Sequence, residues 1–373
     1  MHFARLLLGT GLMLLLCSPL ALWAEEKTGT ATGTGTESEP KKAEAEAEAE
    51  AEAEAKVEKK EKEKPAFTFS EEDLKRFELW LGELRAEALE KGISEKTIAA
   101  ALKEIRPIDR IIALDRRQPE GTMSWETYKS RVVTPARIAE GKRLLAENEE
   151  LLEAVAKQRG VQPRFIVALW GIETGFGSNT GGFSVITALA TLAFEGRRGS
   201  FFRKELFNAL KILDEGHITP AQMKGSWAGA MGQCQFMPSS FLTWAVDQDG
   251  DGRKDIWNTR ADVFGSTANY LHQNRWDANR TWGRRVKLPE GLDPALIGKT
   301  IKKPLSEWQA LGVRKPNGKD LPAVELTGSL VQPGGATGPT YLVYGNYHSL
   351  LHWNRSLYFA TAVGLLADGI GRP

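Results

Sequence analysis

The sequence predicts an α+β domain, mainly helical, placed behind a long N-terminal region with no core of its own. Apolar residues recur at helical spacing through most of the stretch that begins near Phe67. Between Val286 and Val343 the texture changes to Pro, Gly and short β-prone pieces such as VELTGSLVQ and TYLVYG, which predict a few small strands. Residues 25–65, by contrast, carry almost nothing apolar to bury. The chain of 373 residues is 42% hydrophobic and contains 11 Trp, so a substantial core is available for one large domain or two smaller ones.

The chain opens like an export signal. Arg5 precedes an apolar stretch from Leu6 to Leu16, and small residues lead to Ala24, just before Glu25 and Glu26. The stretch is too short for a membrane span, so residues 1–24 are expected to be removed near Ala24 and the protein to be periplasmic. Cys17 offers the alternative of a lipid anchor and outer-membrane association, although Leu16 stands where such signals want a small residue. Residues 25–65 run from a Thr/Gly tract through an Ala-Glu repeat to a Lys/Glu mixture, with 13 Glu against 8 Lys, and read as a disordered tether. Subtracting that acidic region leaves residues 66–373 mildly basic. The balance suits an anionic polymer such as a cell wall and is too weak to imply nucleic acid. With the signal removed, Cys234 is the only thiol, so no internal disulfide can form.

Within the globular part, Ser70-Glu-Glu-Asp73 is a helix start, and Phe77, Leu79, Trp80, Leu84 and Ala88 continue at helical spacing. Further helices are predicted over 94–105, 136–158, 163–173, 202–213 and 262–275. A Gly-rich loop between Gln222 and Ala245 leads into a helix at Pro238, and residues 347–367 return to helical character. No internal repeat of 20 to 50 residues is found.

The segment RFIVALWGIETGFG, Arg164 to Gly177, organises the rest. Pro163 suits a first helical turn, the following residues are apolar almost without relief, and Gly175 and Gly177 form a stop. One acid, Glu173, stands at the end of this buried helix. Desolvation and the negative end of the helix dipole both favour its protonated form, which suits a general acid. The plainer alternative is a terminal Glu that faces water.

Two loops add chemistry. Gly225 to Pro238, GSWAGAMGQCQFMP, combines small residues with the uncharged hydrogen-bonding groups of Ser226, Gln233 and Gln235. That mixture fits a sugar chain, or else a close helix crossing. Asp247-Gln-Asp249-Gly-Asp251-Gly252-Arg253 matches the first half of a calcium loop, with carboxylates at positions 1, 3 and 5, Gly at 6 and a carbonyl at 7. Position 12 is Asn258 rather than Glu, leaving Asp255 or Asp262 to supply an oxygen; an acidic surface turn is the alternative. Other motifs fail. His348 and His352 are four apart, but Ser349 replaces the Glu of a zinc motif and the neighbouring aromatics suggest core packing. Ser200, Ser226 and Ser349 lack a nucleophile-elbow context.

Taken together and in order, YKSRVVTP, GIETGFG, AFEGRR, GSWAGAMGQCQFMPSS, DQDGDG and WNRSLYFA resemble the membrane-bound lytic murein transglycosylase B family, glycoside hydrolase family 103, from about Phe67 to Leu366. The resemblance implies a lysozyme-like core over residues 66–373 that cleaves the MurNAc–GlcNAc bond of peptidoglycan without water. It further implies Glu173 as the sole acid/base and Tyr128, Ser226, Gln235 and Asn354 around the reacting sugar, with Arg197 and Arg198 on the anionic stem peptide. A structural Ca2+ held by Asp247, Asp249, Asp251, the carbonyl of Arg253 and Asp262, in the loop 247–258, is implied as well. No organic cofactor is expected. Trp353 stands where the family has a Tyr, Cys234 replaces another small group, and the spacing from Trp257 to Asp262 is one residue long. Glycan strands are the expected partner of a monomer, with cell-wall synthesis or division proteins beyond them. A hydrolytic muramidase of the same fold, with Asp247 or Glu195 as second acid, and a non-catalytic calcium-dependent wall-binding protein are the competing functions.

Overall fold

The computed structural model describes residues 67–116 and 123–371. The export segment, Cys17 and the tether of residues 25–65 lie outside the described residues. Four helices open the order: α1 (Glu71–Glu90), α2 (Glu95–Ala101), α3 (Asp109–Arg116) and α4 (Trp125–Val132). Next come α5 (Pro135–Glu147), α6 (Glu149–Arg159) and α7 (Pro163–Thr174). A two-residue strand β1 (Phe183–Ser184), helices α8 (Val185–Glu195) and α9 (Gly199–Asp214), strand β2 (Lys224–Gly225), α10 (Pro238–Trp244) and α11 (Arg260–Gln273) follow. The small sheet comprises β3 (Gly283–Val286), β4 (Lys303–Pro304), β5 (Thr327–Val331) and β6 (Thr340–Val343), with α12 (Leu305–Ala310) inserted. Helices α13 (Gly345–Trp353) and α14 (Leu357–Ile370) close the chain. The mainly helical α+β class is as the sequence predicts.

Caps explain where the helices begin and end. Ser70 and Asp73 form the expected capping box on α1, and Ser94, Ser124 and Thr134 cap α2, α4 and α5. Three predicted helices come out differently. The one over 94–105 stops at Ala101, ahead of Glu104, which has φ 52°, and of Pro107. The one over 136–158 breaks at Asn148, which ends α5, donates its side-chain N–H to the Leu144 carbonyl at 2.8 Å and starts α6. The C-terminal one breaks at Asn354, in extended backbone, and restarts behind the Ser356 cap. Helices α3 and α8 were not anticipated, and α4 arises from the WETYKSRV stretch.

Helix α7 lies at the centre, buried from Phe165 through Thr174, with α14, α5, α6 and α11 packed around it. Gly171 is required there because a Cβ would stand 2.6 Å from the Phe176 ring. Strands β1 and β2 pair antiparallel, Phe183 opposite Gly225, and bring the GSWAGAMGQCQF loop against the exit of α7. The second sheet is antiparallel in the order β3-β6-β5-β4. It has its own smaller core of Val286, Leu305, Trp308, Val313, Leu321, Leu330, Leu342 and Tyr344.

Candidate active site

Glu173 sits on the last turn of α7, 7% exposed, and Gly175 turns the chain away with φ 57°. Thr174 fixes this exit, because its hydroxyl accepts the Gly177 N–H at 3.0 Å and lies within hydrogen-bond reach of the Gln233 carbonyl. Among the described residues the carboxyl of Glu173 has one side-chain partner: the indole Nε1–H of Trp353 donates to Oε1 at 2.7 Å. Burial pushes the Glu173 carboxyl up to about 8, while the Trp353 hydrogen bond pulls the other way. A carboxylic acid near neutrality therefore keeps its proton, and with Oε1 accepting from Trp353 the proton resides on Oε2.

Trp353 ends α13 and is wedged between Phe236 and Tyr270, with ring centroids 5.2 and 4.8 Å away. Tyr270 in turn donates its hydroxyl to the His352 carbonyl at 2.8 Å, so loop, α11 and α13 together orient the indole. The sequence alone marks Trp353 only as a departure from the family pattern and gives it no role.

The other expected site residues are distributed as follows. Tyr128, on α4, is half-buried and packs against Trp125 and Tyr358. Its hydroxyl is held above its ordinary value by burial and then by the charge of Glu173, which puts the two in one electrostatic neighbourhood. Gln235 adopts φ 50° and donates from Nε2 to the carbonyls of Gly232 at 2.9 Å and Thr180 at 3.1 Å. Its Oε1 takes no part in those bonds. Ser226 Oγ accepts the Ala230 N–H at 3.0 Å, leaving its own O–H to donate elsewhere. Asn354 Oδ1 accepts the Ser356 N–H at 3.0 Å, which leaves its amide N–H groups.

Arg197 and Arg198 share the buried Asp115, a residue that sequence reading did not single out and that carries no local signal of this role. Arg197 binds it through Nε at 3.0 Å and reaches its backbone carbonyl at 3.1 Å, and Arg198 binds the other carboxylate oxygen. Much of the donor capacity expected to meet a peptide is thus engaged inside the protein. Gln233, one of the hydrogen-bonding groups expected of the Gly-rich loop, is spent inside the protein. Its Oε1 accepts from Trp170 at 2.7 Å, its Nε2 donates to the Trp257 carbonyl at 2.8 Å, and its backbone N–H donates to the Ile256 carbonyl. It joins α7 to the end of the loop 247–258.

In that loop Asp247, Asp249 and Asp251 bring one oxygen each within 4.8 Å of one another. Backbone N–H groups of Gly250 and Gly252 donate to Asp247 at 2.7 and 2.8 Å, shaping the turn. Asp262 stands outside this group. Its two buried oxygens accept the N–H of Gln248 at 2.7 Å and of Asp255 at 2.6 Å, so it braces the loop from α11. Asn258 likewise binds Asp255. Three hard oxygen donors, with a lone Arg253 guanidinium at the rim, fit a calcium ion. Cys234 is buried, and burial pushes its thiol up to about 12, far from a reactive thiolate.

Neither Asp247 nor Glu195 acts on the Glu173 carboxyl. Asp247 is turned into its own loop, and Glu195 binds Arg116 at 3.0 Å. Set beside known families, residues 76–368 match the transglycosylase SLT domain. The chain belongs to the transglycosylase SLT domain family. It is an enzyme, a lytic transglycosylase with a lysozyme-like core. The membrane-bound lytic murein transglycosylase B of Escherichia coli is 31% identical to this transglycosylase over 295 residues, 75% of this chain and 79% of the relative. SltB3 of Pseudomonas aeruginosa, solved with NAG-anhNAM-pentapeptide, is 43% identical with a TM-score of 0.77 over 79% of each chain. E. coli SLT35, solved with calcium, is 29% identical with a TM-score of 0.67, covering 78% of this chain and 92% of that one.

Proposed function

We propose that this transglycosylase cleaves the β-1,4 bond between MurNAc and GlcNAc of peptidoglycan and closes a 1,6-anhydro ring, with Glu173 serving first as acid and then as base. The reading is carried by one observation: a buried carboxyl whose only side-chain partner among the described residues is an indole N–H, with no second described carboxylate acting on it. Hydrolytic glycosidases use a pair of carboxyl groups, either about 5–5.5 Å or about 6.5–9.5 Å apart. A single one needs a nucleophile carried by the substrate.

The proton on Oε2 passes to the glycosidic oxygen as its bond to C1 of MurNAc breaks. The sugar's own N-acetyl oxygen stabilises the positive charge at C1. Now ionised, Glu173 accepts the proton of the MurNAc C6 hydroxyl as that oxygen bonds to C1, and the enzyme returns to its starting state. Water is neither consumed nor needed, and an intramolecular hydroxyl held in place has a large advantage over it. Ser226, Gln235 and Asn354, each with a polar group left over from its internal bond, orient the sugars, while Tyr128 borders the acid. Arg197 and Arg198 would meet the stem peptide with the donors that Asp115 leaves.

Calcium would be held by Asp247, Asp249, Asp251 and the Arg253 carbonyl. When bound it neutralises three neighbouring carboxylates and ties the loop; it supplies no reacting group. A periplasmic location agrees with the membrane-bound E. coli relative and with the absence, among the described residues, of a helix long and apolar enough to cross a membrane.

The test is Glu173→Gln. Solubilisation of sacculi should fall roughly 10²- to 10⁴-fold while sacculus binding persists. Retained solubilisation would remove Glu173 from its role and leave a wall-binding protein or another acid to explain the activity.

A further inference from the structure

The segment Gly283 to Val343 holds nine Lys and Arg against five acidic residues, so much of the positive charge of the globular part sits on the small sheet. Part of it converges on α13. Loop residues 297–302 are fastened to β5 by Gly298 N–H to the Leu330 carbonyl, 2.9 Å, and by the Ser329 hydroxyl to the Lys299 carbonyl, 3.2 Å. Ser329 lies opposite Val343, and Val343 leads through Tyr344 directly into α13. On that helix His348 and His352 are one turn apart and share a face. Burial, and then the charges of Lys302, His352 and Lys299, hold the half-buried His348 ring below its ordinary value. Lys299, Lys302 and His352 are exposed, contrary to the core packing expected around His352. Among the described residues the two lysines form no ion pair, whereas the adjacent Lys303 is held by Glu307 at 3.1 Å. Helix α13 then ends at Trp353, whose indole holds Glu173.

We propose that Lys299, Lys302, His348 and His352 form a binding strip for the carboxylates of stem peptides on the glycan, outside the sugar-cleaving groove and distinct from Arg197 and Arg198. This rests on the glycan-cleaving reading above. Uncompensated like charge costs stability and is repaid by an anionic ligand. The sugars are the neutral part of such a polymer and the peptide branches the charged part. The P. aeruginosa relative SltB3 was solved with a NAG-NAM-pentapeptide. The strip starts one residue from the indole that touches the acid, so a strand held for cleavage brings its peptides past it.

The decisive variant is Lys299→Glu with Lys302→Glu, made in the Glu173→Gln background so that ligand survives. Two soluble glycans are compared, one bearing peptides and one stripped of them by an amidase. Affinity for the peptide-bearing strand should fall about three- to tenfold, the loss shrinking as NaCl is raised, while affinity for the bare glycan stays unchanged. Lys299→Arg with Lys302→Arg should retain wild-type binding. Equal losses on both glycans, or no loss on either, would overturn the proposal. So would an unchanged peptide-bearing affinity with lost binding to phosphatidylglycerol vesicles, which would assign the strip to a membrane surface. Failure of the cleavage reading is distinguishable, because the wild-type protein would then release no 1,6-anhydro product from either glycan, whatever its affinity for the peptide-bearing strand.

Discussion

At the scale of single residues, Glu173 is proposed to carry the chemistry because the sequence surrounds it with apolar side chains and supplies one polar contact. Its folded value of about 8 lies above the ordinary 4.5. Below about pH 4.5 the carboxyl is neutral in both folded and unfolded chains and costs nothing. Between 4.5 and 8 only the unfolded chain releases the proton, so stability declines as pH rises through this window, by on the order of 5 kcal/mol in total. Glu173→Gln removes that loss. Thermal melts should therefore show the variant close to wild type at pH 4 and clearly more stable at pH 8; the reverse order would mean that the carboxyl is not desolvated. Trp353→Phe probes the other half of the pair. The indole N–H stabilises the carboxylate form, so its removal raises the acid's pKa further, and the alkaline limb of kcat/KM should move up by about one pH unit. A limb that stays or moves down would detach Trp353 from the acid. Glu173 was legible in the sequence because a lone acid ended an apolar helix. The Trp353 bond was not, since it joins residues 180 positions apart.

At the scale of elements, what the sequence disclosed were the local signals. The capping box at Ser70, the Pro163 start and the Gly175 stop all appear where the residues put them. What it concealed were breaks set by a single residue inside a periodic stretch, as at Asn148 and Asn354, and short helices such as α3 whose boundaries depend on contacts with distant partners. The acidic loop was legible as a cation motif from spacing alone, but the bracing of that loop by Asp262 was not. Because Gln233 fastens α7 to residues Ile256 and Trp257, order in the loop reaches the catalytic helix. Saturating calcium should raise the melting temperature by ~5 °C or more, and Asp249→Ala should abolish the rise. An unchanged melting temperature in the wild-type chain would count against the site.

At the scale of the whole molecule, the buried α7 serves as the rigid base on which loop, α11 and α13 converge, while the small sheet contributes a second core and a basic surface. That division places one acid in a buried setting with a single indole donor on it, an arrangement proposed to protonate a glycosidic oxygen without recruiting a hydrolytic water. The family motifs made this architecture legible as a set, although none of them is decisive singly. The fate of the MurNAc C1 carbon separates a transglycosylase from a hydrolase. Mass spectrometry of peptidoglycan digested by the wild-type enzyme should find muropeptides lighter by one water than hydrolysis products, ending in 1,6-anhydroMurNAc. Products ending in reducing MurNAc would contradict the proposed reaction.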